Sequence, residues 1–174
     1  MSRAQRIVAS NGRLLALVVR ADFDDFASHP PTFATEDERA WLAQHYSVAS
    51  PELERDTKAH LADDELPLQL TILNRPAGAV VLPHYHESLP APETPTRHQV
   101  MICLSGRARI AVFSTEGERG GSVDLGAGDC ALLLEGHSIE TLEDATRLLE
   151  IKQGPMPSDP LSDNVPVPGT GRER

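Results

Sequence analysis

The chain has 174 residues, a formal net charge of −10 and a pI near 5.1, with 40% hydrophobic but only 4% aromatic residues. That length buries one good core and is marginal for two. The acid excess, with Arg3, Arg6, Arg13, Arg20, Arg75, Arg97, Arg107 and Arg109 scattered along the sequence, excludes a phosphate-tracking nucleic-acid surface and leaves a β domain with an aliphatic interior.

In chain order, an Asn11-Gly12 turn leads into a leucine- and valine-rich strand that ends at Arg20. Its apolar run, Leu14 to Val19, is shorter than the ~7–15 residues of a signal-peptide core and far below the ~20 of a membrane span. A cytoplasmic protein with no membrane contact is therefore expected. Ala21 to Pro31 is an acidic loop. Thr35-Glu36-Asp37-Glu38 is a capping box opening a short helix through Trp41, His45 and Tyr46, and Ser50-Pro51-Glu52 opens a second helix running to about Leu61. Such helices would cover an open sheet edge.

From Pro67 short strands follow at close, turn-punctuated spacing: PLQLTILN, AVVLPHYH, QVMICL, RARIAVFS, SVDL, CALLL, IETL and TRLLEIKQG. That is the pattern of an all-β barrel or sandwich. The expected organisation is an amino-terminal strand plus helical extension over 1–65, a barrel over 66–154 and a proline-rich tail over 155–174. Cys103 and Cys130 both fall inside strands and read as buried small side chains rather than a disulfide or a thiolate zinc motif. Cys103 should share an inward face with Gln99 and Met101.

The chemistry concentrates between Gly78 and Gly106, GAVVLPHYHESLPAPETPTRHQVMICLSG. On an extended strand His84 and His86 share a face while Tyr85 points away, so two imidazoles can address one ion, half of a metal site. A second stretch, Gly126 to Asp144, GAGDCALLLEGHSIETLED, brings His137 into a strand after a Glu135-Gly136 turn.

Together the two stretches resemble the paired motifs of the cupin family over about Pro67 to Gly154. Gly78, His84, His86 and Gly106 match the first motif, with Gln99 where that motif has a glutamate. Gly128 and Gly136 match the second, with Leu134 in place of its proline and Ile139 where its histidine is expected. His137 comes two residues early, on the same strand face but displaced by roughly 6–7 Å. The phrase LLEIKQGP with HYH looks like small bacterial single-domain metal-binding cupins, and HQVMICLSG resembles the matching strand of cupin sugar-nucleotide ketoisomerases. The resemblance implies a jelly-roll (double-stranded β-helix) barrel, a mononuclear metal site and a homodimer through barrel edges.

The implied ligands are His84, His86 and His137, with Gln99 coordinating weakly through oxygen or hydrogen-bonding a metal-bound water; His98 is the alternative fourth ligand if a bulge turns it inward. Imidazoles suit Fe(II), Zn, Ni, Cu and, less well, Mn. Fe(II) is favoured here. Without the usual carboxylate the ion keeps its full charge, which favours a small, anionic, chelating substrate. Glu87, Glu93, Glu135 and Glu140 are the nearby acids, and Glu87, with Gln99, is the candidate catalytic group. Three functional classes follow: an Fe(II) dioxygenase, a non-oxidative isomerase or lyase, and a non-catalytic small-molecule-binding module.

Overall fold

A computed structural model describes residues 4–29, 58–74, 83, 85–86, 90, 93–154 and 165–170. The chain divides into two compact units, one made of residues 1–23 and 93–174, the other of residues 24–92.

The first unit begins with a hairpin that the Asn11-Gly12 turn dictates. Asn11 Oδ1 accepts the Arg13 amide at 3.0 Å, Gly12 takes φ 83°, and the Ala9 amide donates to the Arg13 carbonyl at 2.9 Å. The hairpin joins β1 (Gln5–Val8) to β2 (Leu14–Val19). After Glu93 come β5 (Gln99–Ser105), β6 (Arg107–Phe113), β7 (Arg119–Gly126), β8 (Cys130–Leu133), β9 (Gly136–Thr141) and β10 (Arg147–Lys152). The remaining two, β3 (Lys58–His60) and β4 (Thr71–Leu73), form a small hairpin in the second unit, together with a single 3-10 turn at Phe26–Ser28.

All ladders are antiparallel. In the first unit they give a five-stranded sheet ordered β1-β2-β8-β5-β10 and a three-stranded sheet ordered β7-β6-β9. One core draws on both sheets: Ala16, Val18, Met101, Cys103, Ala131 and Leu133 from the first, Ile110, Val112, Val123 and Leu125 from the second. Each fully buried leucine here contributes about 2 kcal/mol relative to an exposed one. Leu17, Val19, Val100 and Leu132, on the opposite face of the five-stranded sheet, are buried as well. Burial on both faces is why β2 and β8 read as unbroken apolar runs instead of alternating ones.

The all-β expectation therefore stands, with every strand expected from Gln99 onward present. Among the described residues the ladders of the first unit form two facing sheets and do not close into one barrel. Two details differ from the sequence reading. β1 was not anticipated, and Lys58–His60 is a strand where a helix reaching Leu61 was expected. Pairing with Thr71–Leu73 outweighs the local Ser-Pro-Glu start signal there. The capping box at Thr35 and residues 79–82 and 84 of the expected AVVLPHYH strand lie outside the described residues; Pro83, Tyr85 and His86 are described and are not in a strand. No helix among the described residues is long and apolar enough to cross a membrane.

Candidate functional site

Gln99 opens β5, paired to Leu133 of β8 on one side and Lys152 of β10 on the other. Alternation from Met101 and Cys103, both in the core, turns its side chain to the inner face, as the sequence implied. His137 lies in β9 opposite Val112 of β6, another core residue, so it reaches the same interior from the facing sheet. The two meet: Gln99 Nε2 stands 2.7 Å from His137 Nε2 and 2.9 Å from Nδ1. Gln99 is buried and His137 half-buried.

Nδ1 is also 3.4 Å from the Glu135 carbonyl, an acceptor, and whichever ring nitrogen lacks the proton is the one that can accept the Gln99 amide. Burial pulls the His137 pKa below the usual histidine value; the Glu135 carbonyl and the Glu150 carboxylate oppose this, and Lys152 adds to it. His137 is thus a neutral imidazole near neutral pH. A half-turn of the Gln99 amide would present its oxygen instead, an acceptor suited to a protonated Nε2.

The other candidates are placed as follows. His98 precedes β5, with its backbone tied to Gln153 at 2.7 and 3.1 Å. Alternation puts it on the face opposite Gln99. It is 3% exposed, and its Nδ1 has no hydrogen-bond partner among the described residues. Burial depresses its pKa, while the Glu135 charge acts in the opposite sense. His86 and Tyr85 belong to the second unit and are exposed. His84 and Glu87 lie outside the described residues. Among the described residues no three His, Cys, Asp or Glu side chains group as a metal site.

Glu135, one of the nearby acids, is buried and engaged structurally. It pairs with Arg13 Nε at 2.5 Å and accepts the Thr115 amide at 2.8 Å, while Arg13 also reaches Glu116 at 2.6 Å. The Arg13 hydrogen bond holds the Glu116 carboxyl down at about 2. Glu93 and Glu140 are exposed, the latter 3.7 Å from Arg109. Cys103 is buried and Cys130 half-buried, and burial pushes both thiols up in pKa, away from the nucleophilic thiolate.

Two features escaped the sequence reading. Lys152 and Glu150 of β10 share the inner face with Gln99. The carboxy-terminal residues 165–170 seat Val167 and Pro168 against Gly136 and Gly117, with Gly136 directly preceding His137. Alternation along TRLLEIKQG was the only signal for the first; nothing local signalled the second. In the second unit, Ser28, His29, His60, Ala62, Asp63, Asp64 and Glu65 line a concavity of about 420 Å³ with an acidic rim. Comparison of the chain with family models, with curated proteins and with solved structures gives no match.

Proposed function

We propose that the chain is a cupin-type enzyme that acts on a small anionic metabolite at the end of the sandwich where Gln99 meets His137. That contact between facing sheets carries the reading, because it joins a neutral imidazole to a reversible amide partner beside an aliphatic core that excludes water. The ion implied by the motifs, Fe(II) first and Zn, Ni, Mn or Cu otherwise, would be held by His84, His86 and His137 with Gln99. When bound, it would supply Lewis-acid and oxygen chemistry. Gln99 and His137 alone are too few donors for a metal centre; His84 and His86 enter on the sequence motif, so no step is routed through the ion. In this reading the chain is a homodimer associating through sheet edges, for which the exposed Leu149 and Ile151 of β10 provide apolar surface.

The residues in contact perform a proton transfer by themselves. His137 Nε2 takes a proton from carbon or oxygen of the bound substrate, the Gln99 amide turns to accept from the new N–H, and the proton is returned at a neighbouring atom. This favours a second reading, a non-oxidative isomerase or lyase, over an inert binding module.

Metal analysis with an oxygen-electrode screen against small organic acids separates the readings. Near-stoichiometric iron with oxygen uptake supports the oxygenase, and turnover without oxygen supports the isomerase or lyase. His86→Ala is expected to lower metal affinity about tenfold or more. Wild-type metal content and turnover in His84→Ala, His86→Ala and His137→Ala would leave neither reading standing.

A further inference from the structure

Of the three asparagines in the chain, Asn11, Asn74 and Asn164, only Asn11 is followed by glycine. That peptide bond is chemically the vulnerable one, because glycine has no side chain to hinder its own amide nitrogen from attacking the asparagine side-chain carbonyl. Asn11 and Gly12 are both exposed at the tip of the β1–β2 hairpin. The fold nevertheless occupies both reacting groups. The Gly12 N–H donates to the Ala9 carbonyl at 2.9 Å, and Asn11 Oδ1 accepts the Arg13 amide at 3.0 Å. The flanking residues are clamped to neighbouring turns. Ser10 gives its amide to Glu118 Oε1 at 2.6 Å and its hydroxyl to Oε2 at 2.9 Å, while Arg13 binds Glu116 at 2.6 Å and Glu135 at 2.5 Å.

We infer that Asn11 is a site of spontaneous deamidation guarded by the closed hairpin, so that the chain ages at this turn whenever the hairpin opens. In the open turn the Gly12 nitrogen gives up its proton to solvent base and bonds to Asn11 Cγ. The bond from Cγ to the side-chain nitrogen breaks, ammonia leaves, and a five-membered succinimide remains. Water then opens the ring at either carbonyl, giving aspartate with the original main chain or isoaspartate, whose main chain runs through the former side chain. Nothing is oxidised or reduced, and water is the only co-reactant. The two products differ in what they do to the fold. Aspartate keeps an oxygen that can accept the Arg13 amide and adds a negative charge between two residues already paired with Glu116 and Glu118. Isoaspartate lengthens the turn by a methylene, so Ser10 and Arg13 cannot both keep their partners. β1, an edge strand with only Ile7 buried, then loses the turn that folds it onto β2. Because the reaction runs through the open form, its rate in the folded chain measures the free energy of opening the hairpin.

The test incubates the full chain in mildly alkaline buffer, folded and in urea, and follows each asparagine by peptide mapping with isoaspartate detection. In urea Asn11 is expected to convert well ahead of Asn74 and Asn164. In the folded chain its conversion should be at least about tenfold slower than in urea. Glu118→Ala, which frees Ser10, should speed conversion in the folded chain severalfold and leave the rate in urea unchanged, and Asn11→Gln should abolish it in both. Asn11→Asp should unfold at a urea midpoint close to that of the wild type, whereas protein aged to isoaspartate should unfold at lower urea. Equal rates folded and in urea, a Glu118→Ala rate equal to the wild type, or an Asn11 that survives in urea as long as Asn74 would overturn the inference.

Discussion

Val167 fills the space that a side chain on residue 136 would need: a Cβ built on Gly136 would stand 2.6 Å from Val167 Cγ2 and 3.3 Å from the Phe113 carbonyl oxygen. At Gly117, which has φ 98°, a Cβ would come 2.5 Å from the Pro168 oxygen. Thr170 closes the segment by bonding back to the Val167 carbonyl through its hydroxyl at 2.8 Å. Two glycines thus form the seat on which the proline-rich tail rests. Gly136→Ala is expected to unseat residues 165–170 and to cost about 1–3 kcal/mol through overpacking against Phe113. Limited proteolysis and urea unfolding measure the two effects; a tail as protected as in the wild type would contradict the seating.

Gln99 stands where the motif that this stretch resembles has a glutamate, and its amide contacts His137 directly. Gln99→Glu would place an anion against the imidazole, stabilising the protonated ring and moving the His137 pKa upward from its depressed position. If His137 and residue 99 share a cation, the same change should raise metal affinity by about tenfold or more, since a carboxylate is the stronger ligand. Imidazole NMR titration reads the first outcome and equilibrium dialysis the second. A rise in pKa without a rise in affinity would separate the hydrogen bond from the metal site.

The strands from Gln99 onward were legible because turns punctuate them and β5 to β8 carry buried residues, while β9 and β10, with none fully buried, were marked by their turns and apolar residues alone. β1 was not, because QRIV exposes Gln5, Arg6 and Val8 and buries only Ile7, so its hydrophobic signal is a single residue. It exists because the Asn11-Gly12 turn folds it onto β2. Lys58–His60 was hidden for the opposite reason, a strong local helix-start signal overridden by a partner strand more than ten residues away. At the site, alternation correctly turned Gln99 inward. Glu135 could not be read from its neighbours, since its partner Arg13 lies 122 residues earlier in the chain.

Buried His98 makes stability depend on pH. Its folded pKa, like that of His137, lies below the unfolded value, mainly because burial disfavours the charged ring. Below about pH 6.5 the unfolded chain takes up protons that the folded chain does not, so stability is fully present above that value and declines as pH falls toward the folded pKa values. Asp124, Asp129 and Glu116, whose pKa values are also depressed, act at lower pH, below roughly 4. Urea midpoints between these limits should therefore fall with acidification, by at most about 1.4 kcal/mol per pH unit for each histidine. His98→Leu should flatten that decline; a slope equal to the wild type would assign the effect elsewhere.

The turn that closes β5 onto β6 packs against the one that opens β10. A Cβ on Gly106, which has φ 73°, would lie 2.5 Å from Thr146 Oγ1 and 2.8 Å from Thr146 Cα, a backbone atom that cannot move away cheaply. Thr146 is itself fixed, its hydroxyl donating to the Glu143 carbonyl at 2.7 Å and lying 3.1 Å from the Arg107 carbonyl. The preceding residue, Ala145, is the only described non-glycine at positive φ, 57°. The two positions should answer oppositely to exchange of alanine and glycine. Gly106→Ala adds a side chain where both the dihedral and the neighbour forbid it and should cost about 2–4 kcal/mol. Ala145→Gly relieves about 1–2 kcal/mol of left-handed strain, partly offset by about 0.5–1 kcal/mol of added unfolded-state entropy, leaving a gain of about 0.5 kcal/mol. Because Ser105 Oγ donates to the Ala145 carbonyl at 3.3 Å, the backbone geometry that glycine must keep is already held from the β5 side. Thermal unfolding of the two single variants decides the matter, and a destabilised Ala145→Gly would show that the turn's conformation is imposed by something other than these contacts.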